Sequence, residues 1–396
     1  MEEVYIAWGL RSYVGVENGI YRHVPAEKLG AAVLTQLTEK FPYILDNVDM
    51  VICGNGVGGG GNITRLMMLE AGLREEIPAI TVDMQCSSAM EAIAIGAAKI
   101  RCREAECVIA GGFESASTQP VRAYSVNHPE YEEGKVYRVA KFVPVQDVHV
   151  QDVHRENDQE QHSELVMLEG AERTAAKEGI SLEEMNRWVL ESHKRAVNAR
   201  DTHMLKDIVC SVYGSKRDEG IRDKMSERLL NKLPFALKQG QYIHMGNACL
   251  TNDGAAFVVL VSDRRRQEWE IEPQAKIKGA IALGGRPDMS PVMAVKAMKA
   301  MMKRAGLRPE QVDRFDTNEA FALIDVLFER EFPQMISRYN TYGGALAYGH
   351  PYGASGAIVL LHQMCALQHS GERYGISSVA AAGGLGSGMW IENLKV

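Results

Sequence analysis

The stretch Ile80-Thr-Val-Asp-Met-Gln-Cys86-Ser-Ser-Ala-Met-Glu-Ala-Ile-Ala-Ile-Gly-Ala-Ala-Lys-Ile100, followed by Glu106-Cys-Val-Ile-Ala-Gly-Gly112, decides the fold class. Ile80–Met84 is a short apolar run of strand length. Ser87–Arg101, rich in Ala, Ile and Met, reads as a buried helix, and Glu106–Ala110 as a second strand closed by Gly111-Gly112. Strand, helix, strand is the unit that builds a sheet covered by helices. Upstream, Val4–Trp8 and Asp49–Cys53 are further strand candidates, and Ala26–Lys40 places Leu29, Val33 and Leu37 on one helical face. From about residue 245 the alternation resumes: Ala255–Val261, Lys276–Ala280, Val292–Ala305, Arg314–Asp316, Ala320–Glu331, Ser355–Gln368 and Ile376–Ala382. The expectation is an α/β chain with a mostly parallel sheet.

Residues 121–244 interrupt this pattern. They are more charged and hold irregular polar segments, with helices over Glu164–Glu178 and Ser181–Arg200. Ser181-Leu-Glu-Glu184 is a capping box. A weak internal repeat flanks the insertion. Cys86 opens one small-residue helix that leads to a strand and Gly111-Gly112; His350 opens another that leads to a strand and Gly383-Gly384. A shared sheet edge would bring Cys86 and His350 together.

Composition narrows the function classes. With 396 residues the chain can bury a large core without staples, and 46% hydrophobic and 24% charged residues are ordinary for a folded globular protein. The net charge of −7 argues against bulk nucleic-acid or anionic-membrane binding but leaves room for a local basic pocket. The acidic start Met1-Glu2-Glu3 lacks the basic region and apolar core of a signal peptide, and no apolar run reaches membrane-spanning length. The 7 cysteines are odd in number and scattered, which suggests neither a disulfide framework nor a zinc site. A reducing, cytoplasmic setting is expected.

Four segments carry reactive or polar residue types suited to a site. Backbone N–H groups at a helix N-terminus favour a thiolate, so Cys86 reads as a nucleophile or, more blandly, as a small buried thiol. Gly349-His350-Pro351, with Gly353 and Gly356, leaves ligand room around a histidine, or is a tight turn holding a structural one. Asp316-Thr-Asn-Glu-Ala-Phe-Ala322 carries Asn318 as a cap or as a holder of water or a carbonyl. Asn247-Ala-Cys-Leu-Thr-Asn-Asp-Gly254 is a similar polar turn before a strand.

Together these segments resemble the thiolase family nearly end to end. The anchors are Cys86-Ser-Ser-Ala89, Ala110-Gly-Gly-Phe-Glu-Ser115, Gly246-Asn-Ala-Cys-Leu-Thr-Asn-Asp-Gly-Ala-Ala256, Asn318-Glu-Ala-Phe-Ala322 and Gly343-Gly-Ala-Leu-Ala-Tyr-Gly-His-Pro-Tyr-Gly-Ala-Ser-Gly356. Asn-Glu-Ala-Phe-Ala points to the degradative and biosynthetic branch. The resemblance implies a thiolase fold, two similar α/β halves in a layered αβαβα arrangement. Residues 1–120 plus 245–268 would form the first half, 121–244 a loop domain on the coenzyme side, and 269–396 the second half. It also implies a homodimer or homotetramer in lipid metabolism, with a coenzyme A thioester as substrate and no bound cofactor.

The resemblance further implies residue roles. Cys86 would attack an acyl-CoA thioester and carry the acyl group. His350 would take the thiol proton and help hold a thioester oxygen, and Asn318 would fix the water that completes this oxyanion hole. Backbone N–H groups of Cys86 and Ala382 would form a second hole. Pantetheine would pass the turn at Ala248 and Cys249. Lys216, Arg217, Arg222 and Lys224 would meet the coenzyme phosphates, or form a solvated charged loop.

One position departs from the pattern. Thiolases carry a second cysteine ahead of the last Gly-Gly run, and Ser378-Val-Ala-Ala-Ala-Gly-Gly-Leu-Gly-Ser-Gly388 places Ala380 there. Cys249 stands where the family's turn has Ser, and Arg11-Ser-Tyr13 replaces an Arg-Thr-Pro-like segment. Alanine cannot move a proton. Either another base serves, or the acyl group goes to an amine, alcohol or water, or the protein only binds acyl-CoA or a partner. Retention of Cys86, Asn318 and His350 argues against complete loss.

Three other patterns read as structural. Gly54-Asn-Gly56-Val-Gly58-Gly59 matches a dinucleotide fingerprint, but Gly60 and Gly61 postpone the helix, so a structural loop is expected. His149, His154 and His162 recur without helical spacing and suggest a polar loop rather than a metal site. The methionines of Met289–Met302 read as core.

Overall fold

The computed structural model describes residues 2–129, 131–138 and 166–395. Its main strands are β1 (Val4–Ser12), β2 (Met50–Gly54), β3 (Ala79–Val82), β4 (Cys107–Ser115), β5 (Asn252–Ser262), β6 (Ala275–Gly284), β7 (Arg314–Thr317), β8 (Tyr374–Ala381) and β9 (Leu385–Asn393). They lie in the order β7-β8-β9-β6-β1-β5-β4-β2-β3. The two halves of this sheet meet where β1 pairs with β6, over Tyr5↔Lys276 and Ile6↔Ala275.

The sheet is mixed rather than mostly parallel. Among these nine strands parallel pairing is confined to the flanks, at β3/β2/β4 and β7/β8, while the short segment Val209–Cys210 also pairs parallel with β1. Every pairing from β4 through β5, β1, β6 and β9 to β8 is antiparallel. The cause is local at β8/β9. Only Ala382-Gly383-Gly384 joins these strands, and so short a link permits antiparallel pairing alone. Gly383 and Gly384 adopt φ of +77° and +72° to make the turn.

The sequence reading also missed β9, because Leu385-Gly-Ser-Gly388 looks like a loop. Its glycines serve close packing instead. A Cβ on Gly386 would lie 2.8 Å from the carbonyl oxygen of Met293, at the start of the helix beneath it. Nor does Gly111-Gly112 end β4, which continues to Ser115. A Cβ on Gly112 would stand 1.8 Å from the carbonyl oxygen of Gly353, so glycine here lets the loop after His350 settle on the sheet.

The helices that matter are α1 (Ala26–Lys40), α2 (Ile63–Glu70), α3 (Ser88–Arg101), α4 (Val166–Glu178), α5 (Leu182–Asp201), α6 (Met293–Ala305), α7 (Ala322–Glu331) and α8 (Ser355–Ser370). α1 has the expected bounds and buries Leu29, Val33 and Leu37. The Ser181/Glu184 capping box opens α5. α8 is apolar on every side and buries Ser355 through Leu367, the pattern of a helix enclosed by protein. Its N-terminus meets that of α3: a Cβ on Gly356 would lie 2.5 Å from the backbone nitrogen of Met90. The two central helices therefore start side by side. That contact, rather than a shared sheet edge, brings the Cys86 and His350 segments together.

Met293, Met298, Met301 and Met302 are core, although a 3-10 turn over Pro287–Val292 delays α6 to Met293. His149, His154 and His162 lie outside the described residues. Among the described residues no group of acidic, histidine and cysteine side chains could hold a metal, and no helix is long and apolar enough to cross a membrane.

Candidate active site

Cys86 sits in a turn two residues ahead of α3. The turn is tight: Gln85 adopts a left-handed φ of +53°. Asp83 Oδ1 accepts the Gln85 N–H at 2.9 Å, and Ser88 Oγ accepts the Met84 N–H at 2.9 Å while donating to the Gln85 carbonyl at 2.6 Å. The backbone N–H groups of Ala382 and of Cys86 itself favour the charged form of the Cys86 thiol. Behind it, Ser87 Oγ donates to the Val379 carbonyl at 3.3 Å.

The thiol is not a resting thiolate. Burial pushes its pKa up to about 12, and the two N–H groups only partly oppose this. The N-terminus of α3 does not hold a thiolate here, because α3 begins only at Ser88 and Cys86 is 9% exposed. Alkylation by iodoacetamide should therefore rise about tenfold per pH unit across roughly pH 7–10, because the thiolate fraction grows with pH below the pKa. A rate flat with pH in that window would show a thiolate already formed.

His350 is buried just ahead of α8. Its backbone N–H donates to Asn252 Oδ1 at 2.9 Å, and residue 350 bridges to Thr251. Nδ1 lies 2.6 Å from Ser355 Oγ, which itself donates to the Pro351 carbonyl at 2.9 Å. The single hydroxyl hydrogen being committed, Ser355 Oγ accepts from Nδ1–H. This assignment leaves a lone pair on Nε2, which is buried and has no hydrogen-bond partner. Burial lowers the imidazole pKa to about 3, so the ring is neutral.

The remaining expected segments converge on the same place. The Ala380 N–H donates to Asn318 Oδ1 at 3.2 Å, and Asn318 Nδ2 lies 3.4 Å from the Ala380 carbonyl. The Cys249 N–H donates to the Ala320 carbonyl at 2.9 Å, and Ala248 bridges to Phe321. Cys86, Ala248, Cys249, Asn318, His350, Ala380 and Ala382 thus lie on segments that are hydrogen-bonded to one another. Lys216 and Arg217 do not join them; they line a separate cavity with Arg11. The Arg222 guanidinium donates to the Glu219 carbonyl at 2.7 Å, and Lys224 is exposed.

Two residues were not singled out from sequence. Tyr352 packs edge-on against the His350 ring, with centroids 5.0 Å apart, and burial holds its phenol far above the usual range. Its signal was an aromatic inside a glycine-rich loop. Glu114 is fully buried at the end of β4, and its signal was a lone carboxylate in an otherwise apolar strand. Its Oε1 accepts from Asn55 Nδ2 (3.0 Å) and the Val57 N–H (3.2 Å), and its Oε2 from the Gly56 N–H (2.8 Å) and the Gly353 N–H (2.9 Å). In the glycine-rich loop after β2 the Gly56 and Val57 N–H groups are thus committed to this carboxylate, and the Gly58 N–H to Asn55 Oδ1. Glu114→Gln turns an amide N–H₂ toward N–H donors and should cost about 1–3 kcal/mol, read from a denaturant midpoint. An unchanged midpoint would show that the carboxylate is not the clamp.

The family model "Thiolase, N-terminal domain" matches residues 4–264, and "Thiolase, C-terminal domain" matches residues 271–393. The acetyl-CoA acetyltransferase of Chromobacterium violaceum is 32% identical over 98% of this chain and 99% of its own. The steroid 3-ketoacyl-CoA thiolase of Mycobacterium tuberculosis is 31% identical over 100% of this chain and 95% of its own. The crystal structure of human mitochondrial 3-ketoacyl-CoA thiolase in complex with CoA superposes with a TM-score of 0.88 at 28% identity, covering 99% of this chain and 98% of that one.

Proposed function

The chain belongs to the thiolase family and is an acyltransferase, and from that premise we propose that Cys86 takes an acyl group from a coenzyme A thioester and passes it to a second substrate. The observation that carries this reading is that the backbone N–H groups of Cys86 and Ala382 favour negative charge at the Cys86 sulfur, on segments hydrogen-bonded to those of Asn318 and His350. These two N–H groups are the donors expected to face a developing oxyanion.

In the first half-reaction Cys86 Sγ attacks the thioester carbonyl carbon while its proton passes to His350 Nε2. The tetrahedral oxyanion is held by hydrogen bonds, then collapses and expels the coenzyme sulfur, which takes the proton back from the imidazolium. The products are acyl-Cys86, free coenzyme A and neutral His350. Burial penalises a lone thiolate and a lone imidazolium alike, but the two charges form together and attract each other. Asn318 fixes a water for the thioester oxygen with the Nδ2 hydrogen not used on Ala380. Pantetheine runs past Ala248 and Cys249, and Arg222 stands near the coenzyme.

In the second half-reaction a nucleophile Nu–H attacks acyl-Cys86, giving acyl-Nu and the restored thiol. Ala380 favours an acceptor that carries its own removable proton, such as an amine, alcohol, water or coenzyme A thiol. A carbon acid would need a strong base. Burial weakens His350 as one, and it raises the pKa values of Cys249 and Tyr352, so both stay protonated. We divide the chain as 1–120 plus 245–268, 121–244 and 269–396, and assign it a homodimer or homotetramer.

Rapid mixing with acetyl-CoA tests the reading. A burst of about one coenzyme A per active chain is expected, slowed about 10²–10⁴-fold in His350→Asn. Coenzyme binding without any burst would leave a binding protein only.

A further inference from the structure

A cavity of about 210 Å³ has a lining that carries Arg11, Arg200, Lys206, Lys216 and Arg217 against one carboxylate, Asp218. The hydrogen bonds and ion pairs of these residues run to groups other than Cys86, Asn318, His350 and Ala382. The single carboxylate is already committed. Asp218 binds the buried Arg11 guanidinium through both oxygens, at 2.8 and 3.1 Å, and accepts the Val14 N–H at 2.8 Å. Arg200 is paired with Asp201 and Asp223. Lys206, Lys216 and Arg217 have no ion-pair partner among the described residues. Arg11, fully buried in the wall, keeps an Nε–H with no acceptor. In a chain of net charge −7, this concentration of unpaired cations around a concavity is a local exception.

We propose that this cavity binds a phosphate-class dianion or diphosphate, at a site separate from the acyl-transfer centre. The cavity, about 210 Å³ and open to solvent, has room for an anion of phosphate or diphosphate size. Separation follows from the intervening chain. Asp218 and Glu219 pin Val14, Val16 and Ile20 from one side, and Gly15–Val16 pairs with Asn252–Asp253 on the other. On this proposal Lys216 and Arg217 serve the second site rather than the coenzyme phosphates. One wall is shared with the catalytic half. Tyr348 lies under Arg11, 5.5 Å from guanidinium to ring centroid, and precedes His350 by one glycine.

Titration calorimetry of the full chain with inorganic pyrophosphate and, separately, with coenzyme A tests this. Wild type should bind pyrophosphate saturably, more weakly as salt rises. Lys206→Glu should weaken that binding at least about tenfold and leave the coenzyme A dissociation constant within about twofold. Three results would overturn the proposal. One is no saturable pyrophosphate heat in wild type. Another is pyrophosphate affinity unchanged in both Lys206→Glu and Lys206→Glu/Lys216→Glu. The third is a loss of coenzyme A affinity in step with the loss for pyrophosphate, which would assign the cavity to the coenzyme's own phosphates.

Discussion

Cys86→Ala is expected to lower acyl transfer from acetyl-CoA by at least about 10⁴-fold and to abolish the burst of coenzyme A. The other described thiols are placed differently: Cys53 and Cys107 are buried in the strands they belong to, Cys210 and Cys365 are buried, Cys102 is exposed just after α3, and Cys249 lies on the turn beside Ala248. Because the Cys86 side chain is small and its turn is held by Asp83 and Ser88, the alanine variant should keep the fold and bind coenzyme A within about threefold of wild type. Cys86→Ser is the sharper control. It retains the shape and a hydrogen-bonding atom, but an alcohol is far less nucleophilic, so a similar loss is expected. A serine variant with near-wild-type turnover would mean that the acyl group never resides on residue 86.

The second large effect is a gain. Ala380→Cys is expected to raise thiolysis of a 3-ketoacyl-CoA by about 10²–10⁴-fold, the usual worth of a positioned acid or base. The new sulfur would enter the buried cluster that holds Ala248, Ala320 and Phe321, the neighbours of Cys249 and Asn318. Asn318 already grips both polar backbone atoms of residue 380, so the substitution leaves the strand where it is. Slow thiolysis by wild type together with a gain in the variant would mark the natural acceptor as something other than a carbanion. Fast wild-type thiolysis with no gain would mean that another group supplies the proton transfer, and would displace Ala380 from the account.

Much of this arrangement was readable before any coordinates, and the boundary of what was readable has physical causes. α1 and the Ser181 box could be placed because amphipathic spacing and capping are local properties of the chain. The motifs at Cys86, Asn318 and His350 could be grouped because the resemblance fixes their order. The antiparallel centre could not be seen, since which strands become neighbours depends on the β1/β6 junction between halves and on a three-residue turn. β9 was hidden because Gly386 and Gly388 mimic a loop while serving contact with α6. The protonation states of Cys86 and His350 were misjudged or invisible for a related reason. A helix dipole is visible in sequence, whereas desolvation is a property of everything packed around the group. Arg11, Lys206 and Lys216 are likewise far apart in the chain, and only folding gathers them around one cavity.

The central claim, an acyl group carried on Cys86, is tested most directly by peptide mass spectrometry of the protein quenched in acid seconds after mixing with acetyl-CoA. The account predicts one acetyl group, confined to the peptide bearing Cys86, absent from Cys86→Ala and removed when free coenzyme A is added before the quench. An acetyl group on another residue, or continued release of coenzyme A with no labelled Cys86 peptide, would contradict it.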